Sequence, residues 1–315
     1  MPAQIPAVRL HRLSLSTPAI AIHGGAGSRT VSPDGALGSA EVDGLRGALA
    51  AGWAVLAAGG GSLDAVEAAV VCMEDSGVFN AGRGAVPTTA GTVETDAAVM
   101  GVVDGPDGPV EVSGAACAMT WVANPVRAAR AVASAGDALL LAGPGADSFA
   151  EAAGLARRDP ATLTGGGVAP VSDMGTVGAV ALDRAGRLAA ATSTGGRRGQ
   201  PPGRVGDSPV LGAGTWADQG RVAVSATGAG EAFVRAGFAH RLDLAAGAGT
   251  PLEDAAEEAL LAAARWGGTG GAIVLGADGT LVVLHDTQSM AQGWRDSECE
   301  VAEVIGAPGT GTVGQ

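Results

Sequence analysis

The stretch Asp173-Met174-Gly175-Thr176-Val177-Gly178-Ala179-Val180 sets a threonine at the start of a strand, directly after a glycine-rich segment without hydrophobic periodicity. That segment, Arg157 to Ser172, carries Pro160, Pro170 and the run Gly165-Gly166-Gly167, and it reads as a linker reaching to about residue 175. A threonine hydroxyl is a poor nucleophile unless a base lies beside it. One solution makes the threonine the first residue of a chain, so that its own α-amine is the base. Such an amine has an unperturbed pKa of about 7.7–8.0 and is partly free near neutral pH. Thr176 is internal, so this chemistry requires cleavage of the Gly175–Thr176 bond. A glycine before the bond tolerates the strained backbone that cleavage needs. For a lone Gly-Thr pair the plainer reading, the first residue of an edge strand, would prevail.

Working outward, Thr176 to Leu182 and Arg187 to Thr194 form a predicted hairpin around a turn at Asp183 to Gly186. Val210 to Trp216 and Arg221 to Thr227 predict a second hairpin, and Gly271 to Gly276 with Thr280 to His285 a third. Upstream, Ala19 to His23 reads as a buried strand followed by the turn Gly24 to Gly27. Helices are expected over about 41–58, from a cap at Ser62 through Met73, from Asn124-Pro125 onward, and over about 231–246 and 252–266. Strands, then helices, then strands predict an antiparallel sheet covered by helices, an α+β design. Met1 to Thr17 has no compact apolar region and reads as a ragged extension, not a signal peptide.

Composition narrows the chemistry. All 19 cations are arginines, which excludes lysine Schiff bases, cofactor aldimines and a Walker lysine. Hydrophobic content of 47% marks a folded chain despite 53 glycines. A net charge of −13 argues against a nucleic-acid partner or an anionic membrane surface. No apolar run reaches the roughly 20 residues of a spanning helix. Cys72, Cys117 and Cys299 lack a CxxC pair, which predicts reduced thiols and a cytoplasmic protein. His11, His23, His240 and His285 are dispersed, so no zinc helix is expected. Thr227-Gly228-Ala229-Gly230-Glu231 begins like a dinucleotide loop, but Phe233 occupies the place of its third glycine. Arg157-Arg158 and Arg197-Arg198 read as solvated charges, and Cys117 as a packed small hydrophobe.

From Ala19 to Gly293 the chain resembles the plant-type asparaginase/isoaspartyl peptidase family of N-terminal-nucleophile hydrolases. The resemblance is carried by Ile22-His-Gly-Gly-Ala-Gly27, Phe79-Asn-Ala-Gly82 with Gly84, Gly175-Thr-Val-Gly-Ala-Val-Ala-Leu-Asp183 and Ala191-Thr-Ser-Thr-Gly-Gly196. It continues in Pro202-Gly-Arg-Val-Gly-Asp-Ser-Pro209, Thr227-Gly-Ala-Gly-Glu231 and Gly270-Gly271. Two departures stand out. Arg197-Arg-Gly-Gln-Pro-Pro202 replaces a polar stretch that commonly holds Asn and Lys, at the leaving-group side of the pocket, and Gly101-Val-Val-Asp-Gly105 follows Met100.

The resemblance implies a four-layer αββα sandwich, made as one 315-residue precursor and cut into an α subunit (1–175) and a β subunit (176–315). It implies that Thr176 is the nucleophile, assisted by the Thr194 hydroxyl. Arg204 and Asp207 would hold the substrate's α-carboxylate and α-amine, with Gly230 nearby. Arginine grips a carboxylate with two prongs, and aspartate complements an ammonium. Outside this context the pair could be a surface ion pair worth roughly 0–1 kcal/mol. Thr227 and Gly228 would form the oxyanion hole, where a donor is worth about 2.7–4 kcal/mol. Asn80 would support the nucleophile. A structural sodium ion would sit on the main-chain oxygens of Met73, Glu74, Ser76, Phe79, Ala81 and Arg83, although an ordinary helix-to-turn connection accounts for the same residues. No organic cofactor is implied. The expected substrates are L-asparagine and β-aspartyl dipeptides, and the expected assembly is a dimer of αβ units. A glycosylasparaginase-like hydrolase and an unprocessed, catalytically silent ligand-binding homologue are the alternatives.

Overall fold

A computed structural model of the protein describes residues 7–27, 39–158 and 175–306. Its strands are β1 (Arg9–Ser14), β2 (Ala19–Gly27), β3 (Thr95–Gly105), β4 (Gly108–Met119), β5 (Leu140–Ala142), β6 (Val177–Leu182), β7 (Leu188–Thr194), β8 (Thr215–Asp218), β9 (Val222–Gly228), β10 (Gly270–Gly276), β11 (Thr280–His285), β12 (Ser289–Arg295) and β13 (Glu300–Gly306). Its α-helices are α1 (Ser39–Ala57), α2 (Ser62–Ser76), α3 (Pro125–Ala135), α4 (Gly143–Ala152), α5 (Gly230–Ala236), α6 (Phe238–Gly247) and α7 (Leu252–Ala264). The strands form an eight-stranded sheet, β13-β12-β2-β6-β7-β3-β4-β5, and a five-stranded sheet, β1-β11-β10-β9-β8. The protein is α+β, as its order of elements predicts.

Strands β6 and β7 lie in the middle of the larger sheet and are buried along their whole length. Alternation along β6 explains this. Val177, Ala179 and Ala181 join a cluster with Leu45, Leu49, Val66, Val70 and Met73 of α1 and α2. Val180 and Leu182 point the other way, into a cluster with Leu188, Ala223, Ile273 and Leu281 that draws on both sheets. On the smaller sheet, Val224, Val274 and Leu284 are covered by Phe233, Phe238, Leu242 and Leu260 of α5 to α7. Alanine dominates β7 because side chains there press against neighbours on both faces, where larger ones would overpack.

Several expectations change. The supposed ragged extension contains β1, which pairs antiparallel with β11 from Arg9 opposite His285 to Ser14 opposite Thr280. Edge strands tolerate charges such as Arg9 and Arg12, which hid the pattern. The helix expected over 231–246 breaks at Gly237, whose φ of +58° no continuing helix allows. The second hairpin starts late, at Thr215, because Val210 and Gly214 instead donate to the Asp207 carbonyl in a turn. Gly61, not Ser62, caps α2, and Asp183 accepts from the Ser62 amide at 3.2 Å. Asn124 precedes α3 as expected, but its amide goes to Asp75, and Glu74 Oε1 accepts from the Val126 amide at 3.0 Å. Arg158 is no solvated charge. It is buried, its amide donates to the Trp121 carbonyl and its guanidinium to Thr95 Oγ1. Most of the linker lies outside the described residues. Cys117 is buried, and burial pushes its thiol up to about 11, as suits a packing residue.

Candidate active site

The register of β6 against β7 builds the centre. Val177 faces Ser193, which sets Thr176 beside Thr194. Both are buried, and Thr176 Oγ1 donates to Thr194 Oγ1 at 3.1 Å. Thr194 Oγ1 donates onward to the Gly175 carbonyl at 3.3 Å and accepts from the Gly196 amide at 3.0 Å. A hydroxyl has one donor and two acceptor sites, so these three bonds saturate Thr194 and orient it. Its single donor bond goes to the carbonyl of the very peptide bond expected to break.

The surroundings hold this trio tightly. Asn80 Nδ2 donates to the Gly196 carbonyl at 2.7 Å, Asn80 Oδ1 accepts from the Val86 amide at 3.1 Å, and its carbonyl accepts from Gly195. Asn80 therefore pins the turn that follows Thr194. Gly25 has a φ of +102°, and a Cβ there would come within 2.7 Å of Gly175 Cα and 3.3 Å of the Thr176 nitrogen. The His23-Gly24-Gly25 backbone thus closes on the Gly175–Thr176 bond.

Beneath it runs a buried polar chain that sequence reading missed. His23 Nε2 bonds Ser225 Oγ at 2.9 Å, Ser225 bonds Thr192 Oγ1 at 2.7 Å, and Thr215 Oγ1 donates to Thr192 at 2.6 Å. Burial drives the His23 pKa down to about 3, opposed in part by the Thr176 main chain, so the ring is neutral. Only the position of His23 inside Ile22-His-Gly-Gly-Ala-Gly27 signalled it. Gly178 is small because this chain crosses it: a Cβ there would overlap Ser225 Oγ and lie 2.5 Å from His23 Nε2.

A cavity of about 60 Å³ opens on the trio, and Thr176, Thr194, Arg204, Asp207, Gly228 and Gly230 all line it, together with Arg197 and Glu231. Thr227 is buried one residue behind Gly228, with its hydroxyl accepting from the Ala26 amide at 3.4 Å. Asp207 is buried with Oδ2 unpartnered among the described residues, and burial pushes its carboxyl up to about 7. A Cβ on Gly230 would sit 2.8 Å from Asp207 Oδ1 and 3.1 Å from Arg204 Nη2, so only glycine leaves the carboxylate and guanidinium accessible. Arg204 does not pair with Asp207. Its Nε and Nη2 each donate to Glu231 at 3.0 Å, and this fork holds the Glu231 carboxyl down at about 2. Glu231 is therefore a site residue that the motif quoted but did not single out. Behind the loop, Asp96 accepts from the Ala118 amide at 2.8 Å, and burial raises its carboxyl to about 6.

The residues expected to hold sodium come together around the end of α2. Met73, Glu74 and Ser76 form its last turn, Gly77 terminates it in the left-handed region, and Phe79, Ala81 and Arg83 follow. The Ser76 hydroxyl donates to the Met73 carbonyl at 2.7 Å. The last carbonyls of a helix lack intrahelical partners and lie at its negative pole. A Cβ on Gly84 would overlap the Phe79 carbonyl oxygen and lie 3.0 Å from that of Gly77, so the turn is closed on its own oxygens. Of these carbonyls, that of Phe79 accepts from the Ala81 amide and that of Ala81 from the Gly84 amide. Among the described residues no cluster of His, Cys, Asp or Glu suits a metal ion, and no helix is long and apolar enough to cross a membrane.

The family model described as Asparaginase matches residues 16–166 and 166–304. The chain is 39% identical over 302 residues to the isoaspartyl peptidase of Escherichia coli strain K12, covering 87% of this chain and 92% of that protein. It is 40% identical over 298 residues to the plant-type L-asparaginase of Pyrobaculum calidifontis, covering 87% and 96%. To the isoaspartyl peptidase/L-asparaginase of Xenopus laevis it is 36% identical over 290 residues, covering 87% and 91%.

Proposed function

The chain belongs to the Asparaginase family, and from that premise we propose that it hydrolyses the side-chain amide of L-asparagine and the isopeptide bond of β-aspartyl dipeptides. The observation that carries this reading is the Thr176 hydroxyl, bonded at 3.1 Å to Thr194 in one cavity with Arg204 and Asp207. In the precursor, Thr176 Oγ attacks the Gly175 carbonyl carbon while the Thr194 hydroxyl polarises its oxygen. The C–N bond breaks, the Oγ proton ends on the departing Thr176 nitrogen, and the Gly175 acyl group passes to Oγ as an ester. Water cleaves that ester to give the Gly175 carboxylate and the free Oγ hydroxyl. Thr176 then carries a free α-amine.

In the mature protein that amine takes the Oγ proton as Oγ attacks the substrate's side-chain carbonyl. Gly228 and Thr227 stabilise the developing oxyanion. Ammonia or the amino acid leaves with the proton, and water then cleaves the acyl-threonine ester to release L-aspartate. Arg204 takes the substrate's free α-carboxylate and Asp207 its α-ammonium. Both groups sit on one carbon only when the scissile carbonyl is on the side chain, so ordinary α-aspartyl peptides are excluded.

The clusters on either side of the two sheets support a four-layer αββα arrangement of the N-terminal-nucleophile type. The oxygens of Met73, Glu74, Ser76, Phe79, Ala81 and Arg83 would hold a sodium ion, which would stiffen the loop carrying Asn80. The mature unit is a dimer of αβ pairs. On a denaturing gel the purified protein should run as two bands, the smaller beginning Thr-Val-Gly-Ala-Val, and Thr176→Ala should run as one inactive band. An intact chain that turns over asparagine, or equal rates on α- and β-linked Asp-Leu, would refute the reading.

A further inference from the structure

The stretch Arg197 to Pro202 departs from the family's usual composition, and its one buried side chain is Gln200, 2% exposed. The Gln200 amide donates to the Arg197 carbonyl and its carbonyl accepts from the Thr89 amide, which fixes the backbone. Its Oε1 accepts from the Arg197 amide at 3.0 Å and from Arg204 Nη1 at 3.3 Å. The carboxamide lies flat against Gly196, where a Cβ would overlap Oε1 and lie 2.5 Å from Nε2. Gly196 is the residue whose amide orients the Thr194 hydroxyl and whose carbonyl is pinned by Asn80. Gln200 therefore touches both the turn behind the nucleophile and the guanidinium across the cavity, yet it is not part of the cavity wall.

A guanidinium has five N–H bonds. Among the described residues Glu231 takes two of those on Arg204 and Gln200 takes one, which leaves two for a ligand. Two parallel N–H bonds are what a carboxylate needs for a forked grip. Holding the guanidinium from two sides removes the rotation that a long side chain otherwise loses on binding. The acceptor on the second side is a neutral amide, so the positive charge is shared with one fixed carboxylate and not two.

We propose that Gln200 is a positioning residue that sets this protein's affinity for the substrate's α-carboxylate by locking Arg204, an inference that rests on the hydrolase reading above. Gln200→Met keeps the length and removes the acceptor. The matured variant should show a KM for asparagine raised about tenfold, as expected for one lost hydrogen bond to a charged group, with kcat within about threefold. Two probes isolate the cause. Succinamate, which keeps the carboxylate and lacks the α-amine, should inhibit the variant about tenfold more weakly than wild type. For β-alaninamide, which lacks the carboxylate, inhibition should stay within about threefold. Gln200→Asn, which withdraws the amide by one methylene, carries the same test should Gln200→Met fail to mature. Equal losses toward both probes, or an unchanged KM, overturn the inference while leaving the activity assigned. A wild-type protein that hydrolyses neither asparagine nor β-aspartyl dipeptides overturns the underlying reading and the inference with it.

Discussion

Asp207 shows how one side chain imposes a pH requirement. Its burial raises the carboxyl to about 7, so it is neutral in acid and becomes able to complement an ammonium only as pH rises through that value. A bound ammonium favours the ionised form and lowers this pKa in the complex. The Thr176 α-amine must also be unprotonated, in the free enzyme and in the complex alike. On the acid side, log kcat/KM should therefore fall with a limiting slope near two, and log kcat with a slope near one. Identical slopes in steady-state pH profiles on asparagine would remove Asp207 from the ammonium site. Thr176, Thr194, Arg204 and Asp207 were legible in the sequence because each stands in a local motif. Glu231 and Gln200 were not, since their meaning comes from contacts to Arg204 that exist only after the 197–206 loop and α5 are brought together.

Strand β6 is where local sequence and chemistry meet. Its second residue, Gly178, faces a buried pair, His23 and Ser225, which a methyl group would displace. Gly178→Ala should destabilise the protein by about 1–3 kcal/mol through overpacking and slow cleavage at Gly175, because the strand that presents Thr176 must shift. Gly145→Ala in α4 is the control: no atom lies near the added methyl, and stability should be unchanged or slightly raised. Denaturant melts of the two variants, with band intensities over time, check both; equal stabilities would mean that the polar chain under β6 gives way freely. The hairpins β6–β7 and β10–β11 were readable because tight turns join apolar runs. Strands β12 and β13 were not, since Gln292, Glu300 and Glu303 interrupt their pattern and Trp294 is flanked by charge.

At the scale of the whole molecule, strand order was beyond the sequence, because the pairings that join the hairpins are between distant segments. Strand β2 lies between β12 and β6, and β7 pairs with β3. Cleavage at Gly175 would assign β1 to β5 to one fragment and β6 to β13 to the other, so the larger sheet alternates between them. The cut protein should therefore elute as one species in size-exclusion chromatography without denaturant and separate only when unfolded. Fragments that part in native buffer would contradict this strand order. The same alternation would make recovery from unfolding depend on concentration once the chain is cut. An uncut chain refolds by a first-order process at a rate independent of concentration. After the cut, two separate polypeptides must find each other, and recovery becomes second-order and fails on dilution. Mature protein that has melted is thus lost at concentrations where its precursor would recover, and its working lifetime is set by how slowly it unfolds.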